Sequence, residues 1–386
     1  MAQRQFRSDD TDKWKHAFGG GSDASSYSVP ANQSCAGTSG TKTITVTDAT
    51  GFFNGQLVLI HQTRGTGAGN WELNKLISGA GTATFTMESN LTHTYTRSGN
   101  SQAQIIELKE YENLTTGSIT APSWDGSKGG IIAFLDKGTT TVNGTLNLDG
   151  LIGATGCGGY VAGGAGRGYI GGNGLGQTSY PAQAIQGESS TGAGTGSNSA
   201  NGTGGGGGRI TRADQSGGGG GGHSTSGGNG NVTGGSTIGV ASLVTMYFGG
   251  AGGGGAKDAD CGNSNRASGG GGGGGICVII SKNIVVTGDI SIDGGTGGAG
   301  YAGGGGGGGA GGSCLLKCET ATLGTNKITA AVSVGGENGG AGGAGRIHID
   351  YSDAITGTTS PTINSTLDTT IKSLSSGAGQ FLTNFM

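Results

Sequence analysis

Proline is nearly missing from this sequence: four residues in 386, with no strict Gly-X-Y period. A collagen triple helix is therefore excluded. Long apolar runs are missing too. None approaches the roughly 18 residues of a membrane-spanning helix, so no membrane insertion is expected. Charge is sparse, at 12% Asp, Glu, Lys and Arg with a formal net charge of −3. That argues against a chain held open by self-repulsion and against a basic nucleic-acid-binding surface. The histidines, His16, His61, His93, His223 and His348, fall in no metal or triad spacing, and the calcium-binding nonapeptide has no good copy. No cofactor and no metal are expected. With no catalytic constellation assignable from spacing, the chain reads as a non-enzyme.

What the sequence has is glycine, 94 residues of it, unevenly placed. Residues 1–128 hold 15, residues 129–351 hold 76, and residues 352–386 hold 3. Such shifts in composition mark domain boundaries. The reading is an arm at 1–35, a small module at 36–128, a glycine-rich domain at 129–361 and a tail at 362–386. The arm is charged and carries no apolar h-region, so no secretory signal is read. Phe6, Trp14 and Phe18 would be its apolar handles if it anchors the chain to a larger assembly. The tail ends in apolar QFLTNFM, which would let it dock on a neighbour.

The module alternates apolar and polar residues in TKTITVTD (41–48), TATFTMES (82–89) and AQIIELKEY (103–111), and QLVLIHQT (56–63) is a buried-type run. Short turn segments separate these, which predicts a small all-β unit. Phe52, Phe53 and Trp71 are its expected core aromatics. GTGAG (65–69) is no dinucleotide fingerprint, because no helix-forming segment or βαβ unit follows it.

The glycine-rich half contains a repeat. GGIIAFLDKGTTTVNGTLNLDG (129–150), GGICVIISKNIVVTGDISIDG (274–294) and GGSCLLKCETATLGTNKITAAVSVG (311–335) share one rhythm, and AGRIHIDYSDAITG (344–357) is a truncated copy. Each opens on a small-residue pair, runs as a strand and turns a polar corner. The first three add a second strand. This alignment makes Ile132, Cys277, Cys314 and Ile347 equivalent, with solenoid-like steps between the last three. A long insertion separates the first copy from the second. The expected fold class is all-β: a small β module followed by a β-repeat, solenoid- or sandwich-like domain with almost no helix.

Runs such as Gly204–Gly208, Gly217–Gly222, Gly252–Gly255, Gly269–Gly275 and Gly303–Gly309 fit neither helix nor ordinary strand. Flexible linkers are usually serine-mixed and do not recur between β repeats, so the runs read instead as bundled threefold helices of polyglycine II type, which complete the expected all-β fold class. Amides in such helices must bond to neighbouring helices, and only glycine permits so close an approach.

Residues 303–336 and 339–361, with their glycine tracts between strands, resemble glycine-rich surface and adhesin-like proteins of bacteria. They also resemble tail-tip adhesins of contractile-tailed phages, in which polyglycine helices pack as a sandwich. That resemblance covers about 129–361 and implies receptor binding by loops at one end of the bundle. DATGFFNGQLVLIHQ (48–62) is likewise similar to modules of phage and surface proteins.

Candidate contact residues lie between the glycine runs. They are Tyr160, Tyr169, Arg209, Arg212, Lys257, Asp258 and Arg266, with loops 209–216 and 256–268 as the main surface. Tyr, Arg and Asp form good contacts on loops, and the cations would suit anionic sugars or acidic receptor loops. His223, opening a loop after six glycines, is a further candidate. Cys277 and Cys314 are expected to stack, either as a buried ladder or as a disulfide. Asp149 and Asp293 suit turns.

The function expected is a structural and adhesive component of an extracellular appendage, a phage fibre or tip or a bacterial surface filament. Its partners would be sister subunits and a cell-surface glycan or outer-membrane protein. The competing reading is a polysaccharide-degrading β-solenoid enzyme.

Overall fold

The computed structural model describes residues 27–156, 159–176, 182–210, 216–257, 267–300, 304–369 and 371. Among these the regular structure is strand throughout, apart from isolated helical-turn residues near the C-terminal end. The all-β class expected from alternation and turn spacing is what the chain adopts.

The first six strands close into a barrel. They are β1 (Asn32–Gly37), β2 (Thr43–Val46), β3 (Leu57–Arg64), β4 (Trp71–Ser78), β5 (Thr84–Met87) and β6 (Gln102–Glu107), in the order β1-β2-β5-β4-β3-β6. Alternation fills the interior with Ile44, Val46, Val58, Ile60, Phe85, Met87 and Ile105. Strand β3 is buried along its whole length because both its faces are covered. Val58 and Ile60 point into the barrel, while Leu57 and Leu59 join a second core shared with the glycine-rich half. Phe52 is a core aromatic at 7% exposure, and Trp71 packs half-buried against the shared core. Phe53 is not in the core: it is 36% exposed, at the turn that leads into β3.

The chain then rolls a parallel sheet into successive coils. The first coil is β7 (Lys109–Tyr111), β8 (Leu114–Thr116) and β9 (Ile119–Thr120), and the second is β10 (Ile131–Val142) and β11 (Thr145–Asn147). After β11 come glycine segments that carry, among the described residues, seven short strands: β12 (Thr155–Gly156), β13 (Gly159–Val161), β14 (Gly174–Gly176), β15 (Ala182–Gln183), β16 (Arg209–Ile210), β17 (Ala256–Lys257) and β18 (Ala267–Ser268). The sheet resumes with β19 (Ile276–Val286), β20 (Asp289–Ser291), β21 (Ser313–Thr329), β22 (Arg346–Ser360) and β23 (Asn364–Leu367). AQIIELKEY therefore divides between two sheets, with β6 in the barrel and β7 in the first coil.

Register matches the repeat. Ile132 lies opposite Cys277, Cys277 opposite Cys314, and Cys314 opposite Ile347. These residues, with Phe134, Ile279, Leu316 and Ile349, fill the inside of the roll against Leu146, Leu148, Ile290, Ile292 and Ile328. The alternate residues Ile131, Ala133, Leu135, Ile276, Val278, Ile280 and Leu315 face outward onto the barrel. Cys277 and Cys314 are buried free thiols, and a hydrogen bond between them, reinforced by burial, holds the Cys314 thiol well above its ordinary pKa.

The glycine runs are ordered by backbone hydrogen bonds that repeat every third residue. Gly269, Gly272 and Gly275 donate to the carbonyls of Ala154, Leu151 and Leu148; Gly270 and Gly273 donate to Gly172 and Tyr169; Gly271 and Gly274 donate to Gly307 and Ala310. The same run accepts from 295–298, 249–252 and 164–168, so six segments surround it. A Cβ at Gly307 would stand 1.9 Å from the carbonyl oxygen of Gly219, and one at Gly253 1.9 Å from that of Gly206. Only glycine fits at such spacing.

Candidate functional site: the loop end of the glycine bundle

Direction along the runs defines two ends. Runs 269–275, 304–312 and 339–345 each lead straight into a strand of the rolled sheet, at Ile276, Ser313 and Arg346. The barrel packs at that end. At the opposite end the short strands tie the chain together. Thr155 and Gly156 pair with Ser268 and Ala267, Tyr160 pairs with Leu175, Gly176 with Lys257, and Gln183 with Arg209. Ser216 bridges to Ala256, and the Ser268 amide donates to the Gly304 carbonyl. The points where the chain enters and leaves 157–158, 177–181, 211–215, 258–266 and 301–303 therefore gather at one end.

Two of the residues singled out in the sequence stand exposed on this rim. Tyr160, on β13, is 60% exposed, and Arg209, on β16, is also exposed. Lys257 is not a surface contact: its side chain is buried on β17. Tyr169 is not one either. It lies at the barrel end with no exposed surface, its hydroxyl donating to the Thr63 carbonyl at 2.5 Å and its ring edge-on to Phe248. An aromatic flanked by glycines looks accessible in sequence, but here the glycines pack around it. Arg212, Asp258 and Arg266 lie outside the described residues, as do Phe6, Trp14 and Phe18.

His223 is corrected in the same way. It is fully buried beside Ser313 at the sheet end, and burial lowers its pKa to about 3. His61 lies within β3, its ring between the Thr63 hydroxyl and the Met246 carbonyl, and burial lowers its pKa to about 4. Asp149 and Asp293 do shape corners, and each does so for the next coil. Asp149 accepts from the Asp293 amide at 2.8 Å and from the Ser291 hydroxyl at 2.7 Å; Asp293 accepts from the Ala331 amide at 2.6 Å.

The junction between barrel and bundle holds a polar cluster that the sequence did not announce. Glu188 is buried and accepts from the Arg64 guanidinium, from the Trp124 indole N–H at 3.1 Å and from the Ile170 amide at 2.9 Å. Burial raises the Glu188 pKa, and Arg64 offsets part of that rise. These four residues come from a strand, a linker and two glycine segments. No spacing connects them, and Glu188 sits in a stretch that reads as loop. A second cluster lies on the rolled sheet, where His348 bridges Asn364 and Asp350, and Lys317 pairs with Asp350 at 2.8 Å. Among the described residues no group of three or more His, Cys, Asp or Glu side chains is placed to hold a metal ion.

No protein-family model matches the chain, and comparison with curated proteins returns no match. Two solved structures with some similarity are phage tailspikes. One is the tailspike protein gp49 from Pseudomonas phage LKA1, 10% identical, covering 86% of this chain and 46% of that one, with a TM-score of 0.18. The other is the Gp54 tailspike of Acinetobacter baumannii bacteriophage AP22 in complex with A. baumannii capsular saccharide, 12% identical, covering 90% of this chain and 57% of that one, with a TM-score of 0.18. The chain spans about half the length of either tailspike.

Proposed function

We propose that this chain is a structural and adhesive component of an extracellular appendage, on a virion or a cell surface, with the loop end of its glycine bundle as the receptor-binding tip. The observation that supports this most is the separation of the two ends. Short strands gather the described flanks of five segments at one end, while the barrel and its buried junction occupy the other. The body between them is backbone lattice, which has few side chains with which to recognise anything. The three-residue hydrogen-bond period supports polyglycine II helices as the form of that body. So does backbone geometry: no glycine of 204–208, 217–222, 252–255, 269–275 or 304–309 has positive φ.

Tip residues are then free to vary with the receptor, because connecting segments tolerate changes that packed glycine does not. Arg209 and Tyr160 are the rim contacts, with Arg212 three residues beyond Arg209 and with Asp258 and Arg266 at the ends of the segment between Lys257 and Ala267, and a cell-surface glycan or outer-membrane protein is the partner class. Replacing Arg209, Arg212 and Arg266 with alanine is expected to reduce attachment to target cells without changing folding, which circular dichroism of the same samples would check. Attachment equal to that of the unaltered protein would overturn the assignment. The proposal carries no catalytic step, and turnover of any member of a polysaccharide panel would favour the enzyme reading instead.

A further inference from the structure

The interior of the roll is closed at its first-coil end by a residue from outside the coils. Tyr27, on the segment before β1, packs against that interior with its ring centroid 5.7 Å from that of Phe134. Tyr111 of the first coil meets Phe134 edge-on at 6.1 Å, and Phe134 is fully buried. Among the described residues the last-coil end has no such lid. Along one inward row Phe134, Ile279, Leu316 and Ile349 are fully buried, and the fifth position, Ser365 on β23, is exposed. In the next inward row Cys318 is buried, Tyr351 half-buried and Leu367 60% exposed. Ile355 and Ile363 are also only partly buried against the core. Tyr351, Ile355, Ile363 and Leu367 thus stand around the mouth of the last coil. The sheet is incomplete there as well. Strand β22 is paired with β21 along its length, but β23 covers its other edge only from His348 to Tyr351. Among the described strands, residues 354–359 have a neighbour on one side alone.

We infer that this end is the docking site for residues 380–386 of the same chain, QFLTNFM, which cap it as a further strand along 354–359 with Phe381 and Phe385 over the mouth. A repeat stack needs a terminal cap that ends both its apolar interior and its open edge. Alternation sets Phe381, Thr383 and Phe385 on one face of such a strand. The two phenylalanines then supply at this end what Tyr27 and Tyr111 supply at the other. The place where the chain leaves the sheet favours its own tail over that of a neighbour. The Asp368 amide donates to the Tyr351 carbonyl, the Ile371 amide donates to the Asp368 carbonyl, and Ile371 is buried. The chain is therefore anchored one turn from the open edge. Residues 372–379 can reach up to about 28 Å when extended, against about 20 Å for the length of the edge. Gly377 and Gly379 give that connection freedom to turn. A short flexible tether holds its end at an effective concentration in the millimolar range, well above that of a second copy in dilute solution.

Hydrogen exchange of the full chain, read by mass spectrometry, tests the cap. In the unaltered protein, peptides covering 354–359 and 380–386 should exchange roughly tenfold or more slowly than in the variant carrying Phe381→Asp and Phe385→Asp. Leu382→Asp, on the opposite face of the strand, should leave both peptides protected. Exchange of 57–64, inside the barrel, should be the same in all three proteins and shows that the fold is kept. A tail that exchanges like an unfolded chain in the unaltered protein would overturn the inference. So would a loss of protection in Leu382→Asp equal to that in the double variant. Protection of 380–386 that disappears on dilution would show that the tail docks on another copy, and would overturn the assignment to its own chain. Attachment to target cells is expected to be unchanged in the double variant, which separates this inference from the receptor assignment.

Discussion

At the scale of single residues, burial decides what each polar group can do. His61 and His223 have their pKa values lowered by burial to about 4 and 3, against an ordinary value near 6.5. The unfolded chain therefore binds protons that the folded one refuses, and stability falls as pH drops from about 6.5 toward those values. Each histidine contributes a slope of about 1.4 kcal/mol per pH unit in that window. Denaturant melts at pH 7 and pH 5 should show the loss, and His61→Gln should reduce it. A histidine after six glycines and a tyrosine in a glycine-rich stretch (GRGYIGG, 166–172) looked exposed in the sequence because glycine signals loop. Both are buried, because glycine here is packing material, and single-residue context does not distinguish the two uses.

At the scale of elements, the repeat was legible and its first coil was not. The alignment of Ile132, Cys277, Cys314 and Ile347 is the observed register, since inward apolar residues recur wherever a strand must cover the same core. The coil at 109–120 escaped because its strands are two and three residues long and precede the glycine-rich stretch. Their periodicity is too brief to separate from that of β6. The sequence suggests that the glycine runs are ordered but not which segments meet, since the groups that satisfy one run come from six distant segments, three supplying carbonyls and three supplying amides. That order makes a specific demand. Gly307→Ala should cost about 3 kcal/mol or more, because the added Cβ meets the Gly219 backbone rather than a side chain that can turn aside. Ala299→Ser on the outer surface should stay within about 0.5 kcal/mol. Chemical-denaturation midpoints of the two variants would check the contrast.

At the scale of the whole molecule, the barrel and the bundle are joined by the apolar core shared by Leu57, Leu59, Trp124, Phe248 and Val278 and by the Arg64–Glu188 pair. Glu188→Ala leaves the Arg64 charge buried without its acceptor, so it should destabilise the protein by about 3–5 kcal/mol. Because the junction couples both halves, the unaltered protein should melt in one transition, and the variant should show the barrel and the bundle parting in two. Calorimetry would distinguish these, and a single unshifted transition would show that the junction is not what unites them.

The six-sided surroundings of run 269–275 have a consequence for how the chain reaches this state. Its donors and acceptors lie in segments from 148–154 to 307–310, so hardly any of its bonds form between residues close in sequence. Closure entropy must be met for many long loops before the first layer gains its hydrogen bonds, and topologies of such high contact order assemble slowly. Glycine makes the search broader still, since it gives up more conformational freedom than any other residue on ordering. The rolled sheet offers the route past this: its apolar strands can collapse first and hold Gly275, Gly312 and Gly345 in line, leaving the lattice to zip outward from a fixed edge. Ordering of the loop end would then be the last event in the folding of the newly made chain, and the recognition proposed for that end would come only to molecules whose interior is complete.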